Sequence, residues 1–213
     1  MALQIVGPGF STLVRSVRMY CLEKGLEVTF GLTVDGQPVA FGSAAHRRLH
    51  PFCQVPILLH GEQRVFETLA ICRYLDREFP TGSAASRCDE TEVDQWSNAL
   101  ITSVDQCLVR QYLLKIGGPR PDRTLTAQAI AEARQRADAT LAILETQLGD
   151  KPFLCGQHFS LADALLAPML DYLAGIPGHE WRLTAPRLAA YLARLQQRAC
   201  GREVLTPADF SKV

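Results

Sequence analysis

The sequence predicts two domains of different class: an α/β domain over residues 1–79 and an all-helical domain over residues 89–213, with a linker at 80–88. Three observations carry this. Short apolar runs of strand length alternate with helical periodicity up to Phe79. Pro80 to Arg87 then reads Pro-Thr-Gly-Ser-Ala-Ala-Ser-Arg, a linker composition. Beyond it strand signals vanish, and amphipathic helical repeats remain.

Leu3 to Val6 is an apolar run stopped by Gly7-Pro8-Gly9, which predicts a buried strand. Ser11 can cap a helix whose apolar face is Val14, Val17 and Cys21 and which Gly25 stops. Glu27 to Phe30 is a second strand, with Val28 and Phe30 on one face. Leu32 to Leu49 reads as irregular, with one helical turn near His46. Pro56–Leu59 and Arg64–Phe66 flank His60-Gly61-Glu62-Gln63 and predict a hairpin. A helix follows from Thr68, with Ile71, Leu75 and Phe79 inward and Pro80 as its stop. The order implies a parallel strand–helix–strand unit with an antiparallel hairpin added to it.

In the second half, Glu90 to Ile116 reads as one long helix ended by Gly117-Gly118-Pro119. Thr126 to Leu148 is another, with Ile130, Ala137, Leu141, Leu144 and Leu148 as its stripe, so the two form antiparallel members of a bundle. Ser160-Leu161-Ala162-Asp163 has capping-box form and opens a helix apolar almost all round, the expected centre of this domain. Pro186 to Arg198 is a further helix, and Trp96 is expected in the core or a dimer interface.

Composition narrows the function classes. Of 213 residues 47% are apolar and 21% charged, which excludes disorder. Basic and acidic residues balance at 22 each, which argues against a nucleic-acid partner. No apolar run is long enough for a membrane span, and the first residues lack signal-peptide form, so the expectation is cytoplasmic. Seven cysteines without a C-x-x-C motif point to reduced, mostly buried thiols. Cys155 and His158 form a lone C-x-x-H, and His46 and His50 a lone pair without a carboxylate. Neither is a metal site, and none is expected.

Four segments carry chemistry: Gly7–Arg18, His50–Pro56, Val65–Leu75 and Gly156–Asp163. Ser11 stands where a strand gives way to a helix. Unpaired N–H groups and the helix dipole favour an anion there, and the hydroxyl can donate to a thiolate or simply cap. Val55-Pro56 follows a polar loop and starts a strand. Glu67-Thr68 opens a helix with a carboxylate for an ammonium and a hydroxyl for a carboxylate.

Taken together, Gln54-Val55-Pro56, the Glu67-Thr68-x-Ala70-Ile71-x-x-Tyr74-Leu75 series and Ser160-x-Ala162-Asp163 resemble the glutathione transferase family, cytosolic and serine-dependent, phi- or theta-like. The resemblance implies a thioredoxin-like domain with a mixed four-stranded sheet, followed by a helical bundle. It further implies that Ser11 stabilises the glutathione thiolate, that Pro56 is cis, and that Gln54, Val55, Pro56, Glu67 and Thr68 bind glutathione. Phe10, Thr12, Arg110, Tyr112 and Leu114 are the implied pocket for a small hydrophobic electrophile. Glutathione is then a co-substrate, no other cofactor is needed, and a detoxifying homodimer is expected. A glutathione-dependent thiol–disulfide oxidoreductase or peroxidase, and a non-catalytic binding or scaffold protein of the same fold, are the alternatives. This chain departs from the family pattern at His50-Pro51-Phe52-Cys53, where relatives often read N-P-x-G, and at Phe41-Gly42, where they often place a lysine or histidine. Arg47 and Arg48 are candidates for that cation or are simply solvated, and Cys53 reads as a replacement for glycine.

Overall fold

The structure, a computed structural model, describes residues 2–80, 89–117 and 122–207. The chain divides into two units, Met1–Gly82 with Ala199–Val213, and Ser83–Arg198. Residues 81–88 of the expected linker, and the predicted Gly118-Pro119 helix stop, lie outside the described residues.

The first unit is built on a four-stranded sheet of order β2-β1-β5-β6. Strand β1 (Leu3–Val6) pairs parallel to β2 (Val28–Gly31) through helix α1 (Thr12–Glu23). It pairs antiparallel to β5 (Ile57–His60), which turns through Gly61-Glu62 into β6 (Gln63–Phe66). Helix α3 (Thr68–Glu78) follows and packs with α1. Central strands bury both faces, so Ile5, Val6, Ile57 and Leu58 are fully enclosed with Val14, Val17, Ile71 and Leu75. β2 is an edge strand; Phe30 therefore stays 43% exposed, its ring covered by the Arg18 guanidinium at 3.6 Å.

Leu32 to Leu49 is more ordered than its sequence reading. A second, two-stranded sheet joins β3 (Thr33–Val34) to β4 (Gln37–Pro38). Its turn is Asp35-Gly36 with φ of +50° and +74°, the conformation that Asp-Gly favours between paired strands. Helix α2 (Ala44–Leu49) follows, with the Ser43 hydroxyl accepting from the His46 amide at 3.1 Å.

The last helix also departs from expectation. The sequence reading carried the helical domain to residue 213, but α10 (Ala199–Val204) packs on α1 in the first unit. Arg15, buried on α1, donates from Nε to the Val204 carbonyl at 2.9 Å and from Nη2 to the Thr206 carbonyl at 2.7 Å. Those carbonyls sit at a helix end that has no intrahelical donors left, so a buried guanidinium suits them.

In the second unit α4 (Glu90–Ala99), a π-wound segment (Leu100–Leu113) and α5 (Leu114–Ile116) follow one another directly, along the path read as one helix. α6 (Ala127–Leu148) starts at a Thr126 cap and buries Ala133, Ala137, Leu141, Leu144 and Leu148. α7 (Leu161–Ala174) is buried continuously from Leu161 to Leu170, as its all-round apolarity predicts. Short α8 (Trp181–Thr184) and α9 (Pro186–Gln197) complete the unit. At the start of α7 the enclosed Asp163 carboxylate accepts four hydrogen bonds. Oδ1 takes the Leu154 amide (2.9 Å) and the Tyr191 hydroxyl (2.7 Å); Oδ2 takes the amide (2.7 Å) and hydroxyl (2.8 Å) of Ser160. Among the described residues no helix is long and apolar enough to cross a membrane.

Candidate active site

Sheet register brings the scattered sequence segments together. Val6, the last residue of β1, lies opposite Ile57, the first of β5, and Ile57 lies opposite Phe66, the last of β6. The residues after β1, before β5 and after β6 therefore meet at one end of the sheet. Those are Gly7 to Ser11, Gln54-Val55-Pro56 and Glu67-Thr68, the three sets singled out in the first unit. Gly7 shows how closely they approach. A Cβ there would come within 2.4 Å of Val14 Cγ2 and 3.2 Å of Val55 Cβ, at a φ of +155°. Only glycine fits between the Val14 and Val55 side chains.

Ser11 is the N-cap of α1, half-buried. Its oxygen lies 3.5 Å from the Val14 amide, a weak capping bond. Among the described residues its hydroxyl proton has no protein acceptor, so it is available to a ligand. The Val55-Pro56 peptide is cis. Gln54 is exposed and Val55 half-exposed, ahead of fully buried Ile57. Glu67 adopts φ +68°, a left-handed conformation that only a surrounding constraint sustains in a non-glycine residue. Its side chain is 57% exposed while Thr68 behind it is buried. Neither side chain caps α3, which has no acidic residue in its first turn. The first amides of α3 are thus an anion-binding terminus with a carboxylate beside it.

Two histidines brace this end, and the sequence reading considered them only as metal ligands. His46 is buried; its Nδ1 accepts from the Gly42 amide at 3.3 Å, so Nε2 carries the proton and donates to the Gln54 carbonyl at 3.1 Å. His50 is buried too. Its Nδ1 accepts from the Phe52 amide at 3.2 Å, so its Nε2–H faces Glu67 Oε1, 3.9 Å away. Burial pushes the His50 pKa down, and the Glu67 charge pulls it back up. Three residues after His50, Cys53 is half-buried at φ +51°, the backbone region that glycine tolerates best. That is the physical content of the expected cysteine-for-glycine replacement.

The remaining expected positions fall differently. Arg47 donates to the Gly42 carbonyl at 3.2 Å, and the Arg48 carbonyl accepts from Arg64 at 2.9 Å. Thr12 is 8% exposed, its side chain within the α1 packing. Phe10, with Arg18, Phe30, Glu203 and Pro207, lines a cleft of about 550 Å³ inside the first unit that no local sequence pattern announced. In the second unit Arg110 is exposed and paired with Asp105 at 2.8 Å, and Leu114 is 38% exposed. Tyr112 is a correction: it has no exposed surface, its ring meets His179 edge-on at 5.1 Å, and its hydroxyl accepts from Arg134 at 3.2 Å. It belongs to the core of the helical unit and cannot line an open pocket there.

Comparison with known proteins finds one family in both units. Residues 10–78 match the glutathione S-transferase N-terminal domain, and residues 127–194 match the glutathione S-transferase C-terminal domain. Glutathione S-transferase F10 of Arabidopsis thaliana is 26% identical over 209 residues, with 96% of each chain covered. Glutathione S-transferase F14 of the same plant is 28% identical, covering 86% of this chain and 75% of the relative. In fold, the chain superimposes with a TM-score of 0.81 on a glutathione-bound theta class glutathione S-transferase from Xanthomonas axonopodis pv. citri. That protein is 24% identical, with 97% of this chain and 98% of that one covered. Glutathione transferase F7 from Populus trichocarpa also gives 0.81, at 20% identity, covering 95% and 97%.

Proposed function

Since the chain belongs to the glutathione S-transferase family, we propose that it joins the thiolate of glutathione to a small apolar electrophile, with Ser11 as the catalytic hydroxyl. The observation that carries the reading is the meeting of Ser11, cis Val55-Pro56 and Glu67-Thr68 at one sheet end. Glutathione is an extended peptide with a thiol at its centre and an ammonium and a carboxylate at its γ-glutamyl end. Each part has a complement. The Val55 backbone offers main-chain pairing, as an added strand does, with Gln54 alongside. The α3 terminus with Thr68 suits the carboxylate, and Glu67 suits the ammonium.

The chemistry then follows from where Ser11 stands. A free thiol titrates near ~8.5, so little thiolate exists at neutral pH. A hydrogen bond to a charged acceptor contributes roughly 1.5–3 kcal/mol, equivalent to about one to two pKa units. The bound thiol gives up its proton to solvent, the Ser11 hydroxyl donates to the resulting thiolate, the thiolate attacks an electrophilic carbon, and the leaving group departs with its electron pair. Nothing in this step asks for a metal or a redox cofactor. Phe10, on the cleft of the first unit, is the residue proposed to meet the second substrate, in a cytoplasmic homodimer with a detoxifying role.

Calorimetry with glutathione, paired with conjugation to an activated aryl halide, tests the reading. Binding with turnover is expected. Binding without turnover on halides, epoxides or peroxides would favour a scaffold, and disulfide exchange without conjugation would favour an oxidoreductase.

A further inference from the structure

His50 braces this end of the sheet through Nδ1, and its Nε2 side has no role assigned above. It is 1% exposed, yet both ring nitrogens are directed. Nδ1 accepts from the Phe52 amide at 3.2 Å and so fixes the tautomer with the proton on Nε2. The ring is held against Phe66 at 4.8 Å and Phe52 at 6.2 Å between centroids. Held this way, Nε2–H points at Glu67 Oε1 across 3.9 Å. That distance keeps a charge–dipole contact rather than a close hydrogen bond. Glu67 itself has no capping bond to α3 and a left-handed backbone, so little of its own helix orients its carboxylate.

We propose that His50 is a positioning residue for the γ-glutamyl end of glutathione: it aims the Glu67 carboxylate, through Nε2–H, at the site where the ligand's ammonium binds. The inference rests on the glutathione reading above. In this arrangement one carboxylate oxygen is turned to the buried imidazole and the more exposed remainder of the group is left to the ammonium. The donor stays neutral, so it orients the carboxylate without cancelling the charge that the ammonium needs. A cation at position 50 would pair with Glu67 and compete with the ligand.

Two substitutions separate this role from a purely local one, because each keeps one half of the imidazole. In His50→Asn the side-chain oxygen can still accept from the Phe52 amide, but nothing reaches Glu67. In His50→Gln the longer amide can still donate toward Glu67, while the Phe52 contact is lost. Glutathione affinity by calorimetry is expected to weaken roughly three- to ten-fold in His50→Asn and to recover to within about two-fold of wild type in His50→Gln. The reverse order, or equal effects in both, overturns the proposal in favour of loop support. Wild type that fails to bind glutathione removes the functional reading and this inference with it. Wild type that binds while both variants behave alike removes the inference alone. A second measurement needs no change at position 50: the imidazole titration of His50 by NMR in wild type and Glu67→Gln. The titration is expected to move to lower pH in Glu67→Gln, where the carboxylate that raises the His50 pKa is gone. An unchanged titration overturns the contact even if both His50 variants fail to fold.

Discussion

The His46 imidazole donates to the Gln54 carbonyl at 3.1 Å and so ties helix α2 to the loop that enters the cis proline. Its other nitrogen accepts from the Gly42 amide, which makes this buried ring a two-sided brace. His46→Ala removes the partner of the Gly42 amide and of the Gln54 carbonyl and leaves the space of a buried ring. The expected loss is about 1–3 kcal/mol of stability, a fall in Tm of roughly 2–4 °C per kcal/mol. Glutathione affinity should weaken with it. A melting curve and a titration together check this; an unchanged Tm would show that the brace carries no load.

Ser11→Ala tests the proposed chemistry. Glutathione should still bind, because the Val55 backbone, Glu67 and Thr68 remain. Without the hydroxyl the bound thiol loses its stabilising donor, so its pKa rises by about one to two units. Turnover at neutral pH falls roughly ten- to a hundred-fold and is regained as the pH is raised. Ultraviolet absorbance of the bound thiolate against pH reads the shift directly. Identical titrations in the two proteins would leave Ser11 as a helix cap only.

Asp163→Asn concerns stability alone. All four of its partners are donors, two on each oxygen. An amide nitrogen in place of one oxygen would turn a donor toward two donors. Leaving two buried donors without an acceptor costs about 2–5 kcal/mol, or a fall in Tm of about 5–15 °C. A loss of under 2 °C by calorimetry would show that the network is dispensable.

Thiol reactivity should follow burial. Burial pushes the Cys21 thiol up to about 12 and that of Cys72 well above its ordinary value. Their thiolate fraction at pH 8 is therefore roughly one in ten thousand or less. Cys53 and Cys107 are partly accessible. An alkylating reagent followed by peptide mapping should label Cys53 and Cys107 in the native protein, and Cys21 and Cys72 only after unfolding. Early labelling of Cys21 would contradict the packing between α1 and α3.

At Cys53 the backbone is left-handed, where a Cβ costs roughly 1–2 kcal/mol. Cys53→Gly is expected to stabilise the fold by up to about 1 kcal/mol after glycine's entropic cost is deducted. The melting temperature should rise by about 2–4 °C; a fall would mean that the thiol makes a contact worth more than the strain.

Local chemistry made much of this protein legible in its sequence. The apolar run Leu3–Val6, the Ser11 cap and the Ser160/Asp163 box act within one turn or one strand, so periodicity and side-chain type alone reveal them. Asp35-Gly36 was equally local; the flanking strands are only two residues each, too short to show alternation. Ser11, Val55, Glu67 and Thr68 could be named from motif chemistry, but their meeting at one sheet end follows from the Val6–Ile57–Phe66 register, a long-range pairing. His50 and Glu67 are likewise distant in the chain, and nothing in either segment announces the other. Tyr112 lies on a helix whose periodicity cannot say what covers a given face, and packing against His179 decided that it is core. The same holds for α10. Its apolar residues required burial, but only tertiary structure could choose α1 as the partner, because burial is non-directional and it is the Arg15 guanidinium that selects the terminal carbonyls.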